Sequence, residues 1–311
     1  MRAVALSGGV GGARFLRGLV EVLDPGELTI VGNVGDDVEV LGLYVSPDLD
    51  SILYALSGLA DEERGWGRAD ETWNALETVA SLGGESWFSL GDRDLGLHLV
   101  RTQALRAGEP LSAVTAGLAE RLGLEPRLLP ATDDPLRTWL DTPAGRFPFQ
   151  TWFVARGHRD EVEALRYEGA ATAVAAPGVV EALEDAELIV IAPSNPYVSV
   201  APILAVAEIR AALQRRRCPA VAVSPLVGGK AVRGPADRML AHLAGGTTPA
   251  HVAGIYTGLI DALVLDEADA DGATALAGLG VRPIVTRTLM TDAAARRRLA
   301  EAALEAAGAL R

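Results

Sequence analysis

The stretch AVALSGGVGGARFLRGLVEVL, residues 3–23, decides the fold. Its first four residues are uniformly apolar, which is typical of a strand buried on both faces of a parallel sheet. Glycines dominate residues 7–12, and the apolar residues beyond them recur at helical spacing: Phe15, Leu16, Leu19, Val20 and Leu23. A strand, a glycine-rich turn and an amphipathic helix predict the first unit of a doubly wound sheet.

Five further apolar runs end in loops of small and polar residues: 28–31, 188–192, 220–223, 262–265 and 281–285. Helical patterns separate most of these runs. We therefore predict an α/β fold with a Rossmann-like, doubly wound, mostly parallel sheet. In such a sheet, ligands bind in the crevice beyond the carboxyl ends of the strands, where the small and polar residues collect here.

Two segments depart from this alternation. Residues 51–124 are rich in helical patterns and carry Trp66, Trp73 and Trp87, which predicts a helical lobe inserted into a core formed by residues 1–50 and 125–311. The runs 137–140 and 149–154, separated by DTPAGRFP, predict a β-hairpin.

Composition narrows the class of function. The chain of 311 residues has a net charge of −13, which argues against nucleic-acid and anionic-membrane partners. No apolar run reaches the roughly 18 residues of a spanning helix, and the N-terminus does not have the pattern of a signal peptide. Cys218 is the single cysteine, so no internal disulfide forms. We predict a cytoplasmic protein in which an anionic ligand meets a local positive site.

The glycine-rich loop suits a phosphate, because glycine lets the backbone approach closely and a helix N-terminus favours negative charge. The loop is not a P-loop, since Gly12 is followed by Ala13 and Arg14. The dinucleotide pattern fits Gly9 and Gly11 but places Arg14 at the third glycine, which disfavours a Rossmann oxidoreductase. A tight turn without a ligand stays an alternative, and Arg14 either faces a phosphate or lies at the surface.

Four carboxylates follow the second strand: Asp36, Asp37, Asp48 and Asp50. Carboxylates so close together suit Mg²⁺, which takes one or two of them plus water and substrate phosphate. Asp48 or Asp50 is equally suited to be the N-cap of the helical run 52–56.

Three later stretches are candidate binding loops. PSNP, residues 193–196, is a rigid loop or a plain turn. SPLVGGKAVRGP, residues 224–235, offers glycines, Lys230 and Arg233 to a diphosphate, or is a flexible basic loop. Trp87 and Phe88, just before GDRD at 91–94, either stack on a planar ligand or belong to the core. The four histidines have no metal-binding spacing.

Taken in order, these motifs resemble one family. SGGVGGARFLRGL, GNVGDD, SPDLDSILYALSG, RGWGRADETW, LGDRDLGLHLVRT, LLPATDDP, APSNP and SPLVGGKAVRGPADRML are similar to the 2-phospho-L-lactate transferase family of coenzyme F-420 biosynthesis. The match runs from Ser7 to about Met290. VGGARF, RGWG and DETW resemble the bacterial, phosphoenolpyruvate-type branch.

The resemblance implies a reaction. The acceptor is the deazaflavin Fo, and the donor is a guanosine diphosphate diester of a small acid, either enolpyruvyl or lactyl. The terminal ribityl hydroxyl of Fo attacks the phosphorus that bears the acid, GMP leaves, and Mg²⁺ is required. Relatives are dimeric, so a homodimer is implied.

The resemblance also implies roles for individual residues. Asp37 and Asp50 are expected to be catalytic, and Asp37 and Asp48 to bind the metal. The expected Fo contacts are Asp50, Trp87, Ser89 and Arg93. The expected donor contacts are Gly8, Gly9, Gly11, Gly12, Arg14, Ser194, Asn195, Gly228, Gly229 and Lys230. Accordingly, Asp50→Asn is expected to remove most turnover while leaving the fold intact, and Lys230→Ala is expected to raise the donor KM.

One related family is the main alternative. It shares the glycine-rich start and the fold, binds nucleotide-sugars and acts as a regulator without transferase activity. It does not need the tryptophan-bearing lobe or the GDRD motif, so their presence favours the transferase. Binding of Fo discriminates the two, since a regulator is expected to ignore it.

Overall fold

A computed structural model describes residues 1–310. Its strands are β1 Ala3–Ser7, β2 Leu28–Gly32, β3 Val38–Val40, β4 Leu43–Val45, β5 Arg127–Pro130, β6 Arg137–Thr142, β7 Gly145–Pro148, β8 Ala164–Glu168, β9 Leu188–Ile191, β10 Ala220–Val223, β11 Leu226–Val227, β12 Lys230–Ala231, β13 Ala262–Asp266 and β14 Arg282–Thr286.

The α-helices are α1 Gly9–Val22, α2 Pro47–Leu56, α3 Asn74–Ser81, α4 Asp92–Arg106, α5 Leu111–Arg121, α6 Val179–Glu184, α7 Ala201–Ala205, α8 Ala207–Arg215, α9 Ala236–Leu243, α10 Pro249–Ile255 and α11 Ala293–Gly308. Two 3-10 helices, Pro25–Glu27 and Glu267–Leu279, and two single π-helical turns, Thr151–Ala155 and Pro196–Val200, complete the elements.

Seven strands form one parallel sheet in the order β14-β13-β10-β9-β1-β2-β5. All six predicted runs are strands of this sheet, so the predicted doubly wound fold is confirmed. From β1 the chain first adds β2 and β5 on one side, and it later adds β9, β10, β13 and β14 on the other side. This reversal between β1 and β9 is the topological switch point at which such sheets bind ligands. The sequence reading missed β5, whose four residues RLLP form the edge beside β2.

Helices cover both faces of the sheet. Helix α1 packs against α2 and α11, and the backbone of α11 approaches it so closely that a Cβ on Gly18 would lie 2.4 Å from the Arg296 carbonyl oxygen. Of the three consecutive arginines in α11, Arg297 and Arg298 are exposed, but Arg296 is buried because it faces α1 at this contact.

The segment 51–124 is helical, but both of its ends build the main core. Ile52 and Leu53 of α2 lie in the same apolar cluster as the sheet, and so do Leu111 and Val114 of α5. The division of the chain into a core domain and a lobe stays a prediction. No single helix within residues 1–310 is long and apolar enough to cross a membrane; one sharply bent pair, residues 196–205 and 207–215, meets that test by length and composition alone.

The predicted hairpin exists, with different bounds. Strands β6 and β7 pair through the tight turn after Thr142, and β8 pairs with the other edge of β6. The predicted second arm, 149–154, is not a strand. Pro148 has no N–H to continue the ladder, and the chain then turns into a helical turn, where Phe149 and Trp152 pack in a small separate core.

Candidate active site

A cavity of about 660 Å³ opens at the carboxyl ends of β1, β9 and β10, at the predicted edge of the sheet. The loop before α1, the start of α2 and the PSNP loop form its floor. Loop residues 65–67, 232–235 and 288–290 stand around it, and α4 and residues 149–158 contribute its sides.

The first loop needs glycine for reasons of space. A Cβ on Gly8 would lie 2.4 Å from Asp48 Oδ2, and one on Gly11 would lie 2.8 Å from the Pro193 carbonyl oxygen. The Ser194 hydroxyl donates to the Gly8 carbonyl at 2.7 Å, which ties the PSNP loop to the first loop. The N-cap of α1, Gly8, provides no side-chain cap, so the first turn of this helix presents N–H groups suited to an anion.

Asp36 and Asp48 form a buried pair of like-charged groups in this cavity. Burial raises the pKa of Asp36 well above its usual range, and the nearby charge of Asp48 raises it further. Burial likewise raises the pKa of Asp48 to about 6, although the Asn33 amide and the Gly9 N–H donate to its carboxylate. Asp36 Oδ1 has no hydrogen-bond partner in the described chain. Two buried carboxylates with so few donors favour a positive ligand.

Asp37 does not line the cavity. Its carboxylate accepts a hydrogen bond from the Tyr44 hydroxyl at 2.8 Å, and Arg137 lies near both groups. Burial raises the pKa of Asp37 to about 7, against the opposing effect of Arg137.

Asp50 lines the cavity and forms a bidentate ion pair with Arg101 of α4. Arg101 Nη1 donates to Asp50 Oδ2 at 3.1 Å, and Nη2 donates to Oδ1. The same guanidinium lies 3.3 Å from His98 Nδ1, while His98 Nε2 lies 3.2 Å from Asp94 Oδ2. The Tyr54 hydroxyl donates to the other oxygen of Asp94. A polar network thus joins α2 to α4 and fixes the carboxylate of Asp50.

Sequence reasoning missed most of this network. The signal was the spacing of Asp94, His98 and Arg101, at i, i+4 and i+7, which puts all three on one face of a helix. His98 was not predicted as a site residue because the four histidines have no metal-binding spacing.

The N-cap of α2 is Ser46, and Pro47 is its first residue. The alternative in which Asp48 or Asp50 is the N-cap is therefore wrong. Both aspartates lie inside the first turn, with their carboxylates turned into the cavity wall.

Arg14 and Arg233 supply positive charge to the cavity. Partial burial lowers the pKa of Arg14, and the nearby charge of Arg233 lowers it further. Arg233 donates to the carbonyls of Arg64 and Gly65, at 3.2 and 3.0 Å, and so links two loops at the cavity.

The predicted diphosphate loop is arranged differently from the expectation. The N–H groups of Gly228 and Gly229 donate to the carboxylate of Asp269, at 2.9 and 2.7 Å. The Lys230 side chain is 80% exposed and lies 3.7 Å from Asp237. The carboxylate of Asp269 therefore accepts hydrogen bonds from the two backbone N–H groups that were predicted to bind a diphosphate.

The structure brings nine of the predicted site residues together around the cavity: Gly8, Gly9, Gly11, Arg14, Asp48, Asp50, Ser89, Ser194 and Asn195. Outside the lining lie Gly12, Asp37, Trp87, Arg93, Gly228, Gly229 and Lys230. Arg93 is exposed beside Asp70. Trp87 packs edge-on against Phe88, and of these two aromatic residues only Phe88 lines the cavity.

No group of three or more His, Cys, Asp or Glu side chains in residues 1–310 is arranged to hold a metal ion by itself. Mg²⁺ does not need one, because it usually keeps several waters and binds through one or two carboxylates plus substrate phosphate. The carboxylates of Asp36 and Asp48 are suited to this mode of Mg²⁺ binding.

Comparison with known proteins gives the chain its relatives. The family model of "2-phospho-L-lactate transferase CofD" matches residues 3–278. A protein of Streptomyces coelicolor called phosphoenolpyruvate transferase is 45% identical over 100% of this chain and 99% of its own length. A protein of the same name from Mycolicibacterium smegmatis is 41% identical over 99% of both chains.

A solved structure has a similar fold. A Bacillus halodurans protein, described as a member of the UPF0052 family, superposes with a TM-score of 0.65 over 97% of this chain and 98% of its own. The two sequences are 18% identical, so this likeness shows the fold alone.

Proposed function

Because the chain belongs to the 2-phospho-L-lactate transferase family CofD, we propose that it transfers an enolpyruvyl phosphate group to Fo in coenzyme F-420 biosynthesis. The donor in this proposal is the enolpyruvyl diester of guanosine diphosphate. The names of the full-length relatives favour enolpyruvyl over lactyl. The observation that carries the proposal is the buried Asp36–Asp48 pair beside the N-terminus of α1, inside one cavity.

The proposed reaction is a single displacement at phosphorus. The terminal ribityl oxygen of Fo forms a bond to the phosphorus that bears the acid. The bond from that phosphorus to the bridging oxygen breaks, and GMP leaves with the electron pair. The hydroxyl proton passes to a nearby carboxylate or water. Such a transfer needs positioned reactants and neutralised charge more than covalent catalysis.

Asp36 and Asp48 are the residues that would hold Mg²⁺. The ion would neutralise charge on the phosphates and on the two carboxylates. The Asn33 side-chain amide orients Asp48 by donating to its Oδ2 at 2.9 Å. The side-chain oxygen of Asn33, Oδ1, in turn accepts from the Gly35 N–H at 2.8 Å. Asp48 is thus held in one orientation before any ligand arrives. The proposal moves one metal-binding role from Asp37 to Asp36, because Asp36 lines the cavity.

Asp50 is the proposed acceptor contact. Its two oxygens accept from Arg101, yet the residue lines the cavity and a carboxylate oxygen accepts more than one hydrogen bond. A ribityl hydroxyl is a suitable further donor. Ser89 of the helical segment lines the same cavity and is a second candidate for this contact.

The donor diphosphate is proposed to lie against the N-terminus of α1, between Arg14 and Arg233. The helix dipole and the two guanidiniums supply local positive charge in a chain whose net charge is −13. The homodimer stays a prediction from the resemblance, and the cytoplasmic location stays a prediction from the composition.

A donor competition tests the proposal. The purified protein is mixed with Fo, Mg²⁺ and equal amounts of the enolpyruvyl, lactyl and phosphoglyceryl diesters of guanosine diphosphate, and the products are read by mass spectrometry. We expect the enolpyruvyl product to dominate and GMP to appear in equal amount. A dominant lactyl product would correct the donor only. No product, together with no binding of Fo, would favour the nucleotide-sugar-binding regulator.

A further inference from the structure

Three aromatic rings form a continuous stack in one wall of the cavity. The Phe149 and Phe153 rings lie 5.2 Å apart between centroids and 15° from parallel, and the Phe153 and His158 rings lie 5.1 Å apart and 22° from parallel. All three residues line the cavity. Neither the sequence motifs nor the proposed reaction assigns them a role.

His158 adopts a strained backbone conformation at the end of this stack. Its φ is +45°, one of three positive values among the non-glycine residues in 1–310. The left-handed region is unfavourable for residues other than glycine, and such strain persists only where the surroundings enforce it. Here the His158 N–H donates to the Trp152 carbonyl at 2.8 Å, and its carbonyl accepts from Arg238 at 2.7 Å. The fold thus holds an imidazole ring parallel to Phe153 at a cost in backbone energy.

Gln150 lies on the same helical turn as Phe153, three residues before it. Its side chain is only 6% exposed and lines the cavity, and its amide forms no hydrogen bond with any group of residues 1–310. The amide lies at the cavity with its donor and acceptor groups not used by the protein, so the arrangement suits a ligand that supplies both a donor and an acceptor.

We propose that this wall, formed by Phe149, Gln150, Phe153 and His158, binds a planar heteroaromatic ring that carries a lactam edge. The ring continues the aromatic stack on His158, and its C=O and N–H groups pair with the Gln150 amide. The inference rests on the proposed function for the identity of the ring, which is either the guanine of the donor or the deazaflavin of Fo. Both rings have a lactam edge.

The strain at His158 gives a sharp test. His158→Gly removes the ring and relieves the backbone at once. We expect its thermal midpoint to rise slightly and its affinity for one ligand to fall roughly fivefold to a hundredfold, the range of base–aromatic stacking. Gln150→Leu is expected to weaken the same ligand while the stack stays intact.

Leu41→Gly is the matched control. Leu41 has a φ of +53° but is 44% exposed and outside the cavity lining, so relief of strain there is expected to leave ligand affinity unchanged.

Two titrations of the full chain identify the ring: GDP by calorimetry and Fo by its fluorescence. Weaker binding of GDP alone in both cavity variants assigns the wall to guanine, and weaker binding of Fo alone assigns it to the deazaflavin. Wild-type affinity for both ligands in His158→Gly overturns the inference, and so does an equal loss of both, which would indicate a general disturbance. A wild-type protein that binds GDP but makes no product would contradict the proposed function while the GDP titration still tests the wall.

Discussion

Replacing Asp50 with asparagine separates the role of this carboxylate in the fold from its role at the site. Arg101 is completely buried, and its two terminal nitrogens are paired with Asp50. The substitution keeps the shape of the side chain but removes the carboxylate that forms a bidentate pair with this guanidinium. Asp37 lies near enough to favour the charged form of Arg101, which compensates in part.

The expected loss of stability is large. Removing one partner of a buried ion pair costs about 3–5 kcal/mol, because the other charge stays buried without compensation. Natural proteins have unfolding free energies of about 5–15 kcal/mol, so this is a substantial fraction of the total. In a chain of 311 residues the thermal midpoint is expected to fall by roughly 5–8 °C. The structure thus changes the expectation from the sequence that Asp50→Asn leaves the fold unaffected.

Urea unfolding followed by circular dichroism, together with turnover on Fo, measures both effects. The matched variant is Asp50→Asn with Arg101→Gln, which replaces the charged pair by a neutral one. We expect this double variant to recover most of the lost stability and none of the lost turnover. If Asp50→Asn unfolded at the same urea concentration as the wild type, the reasoning would be refuted, because a buried guanidinium is expected not to tolerate the loss of its partner.

Three further predictions concern the rest of the cavity. Binding of Mg²⁺ is expected to weaken as the pH drops below about 6, where Asp48 of the metal-free protein becomes protonated, and turnover at limiting Mg²⁺ is expected to fall with it; Asp48→Asn is expected to be inactive at every pH. The raised pKa of Asp48 means that the fold favours its protonated form, so the free energy of unfolding is expected to fall as the pH rises from about 4 to 6. Urea unfolding at several pH values should find this fall smaller by up to about 3 kcal/mol in Asp48→Asn. Gly8→Ala is expected to displace Asp48 and lower turnover roughly tenfold or more, whereas Gly254→Ala, whose added methyl group meets open space, should keep full activity; equal rates would argue against the close contact at Gly8. Arg233→Met should raise the donor KM in steady-state assays, while Lys230→Ala should leave it unchanged because that side chain is exposed outside the cavity lining; the reverse result would place the donor against the Lys230 loop.

Most strands of the central sheet were predictable because each is a short apolar run, and in β1, β9, β10 and β13 every residue is buried. Such runs are recognisable without knowledge of their neighbours. The position of the cavity followed from the same reasoning, since the small and polar residues Ser7, Asn33, Ser194 and Ser224 all come at the end of a strand or just after one. Strand β5 was not predicted because Leu128 and Leu129 are flanked by an arginine and a proline, which leaves no continuous apolar run of four residues.

Which of the neighbouring carboxylates lines the cavity was not predictable from the sequence. Asp36 and Asp37 are adjacent, and the sequence treats them alike. The turn after β2 sends Asp36 to the cavity and Asp37 toward Tyr44 and Arg137. Only the path of the backbone through that turn distinguishes them.

Sequence alone thus determined the order of the predicted strands along the chain, the glycine-rich turn before α1 and the edge of the sheet at which the cavity opens, because these depend on local apolar patterns and backbone freedom. Tertiary structure alone decided which charges meet. The pairing of Asp50 with Arg101, of the loop amides with Asp269, and of His158 with Phe153 joins residues by the geometry of the folded backbone. The strength of such contacts depends on distance and burial, neither of which is encoded in any single stretch of sequence.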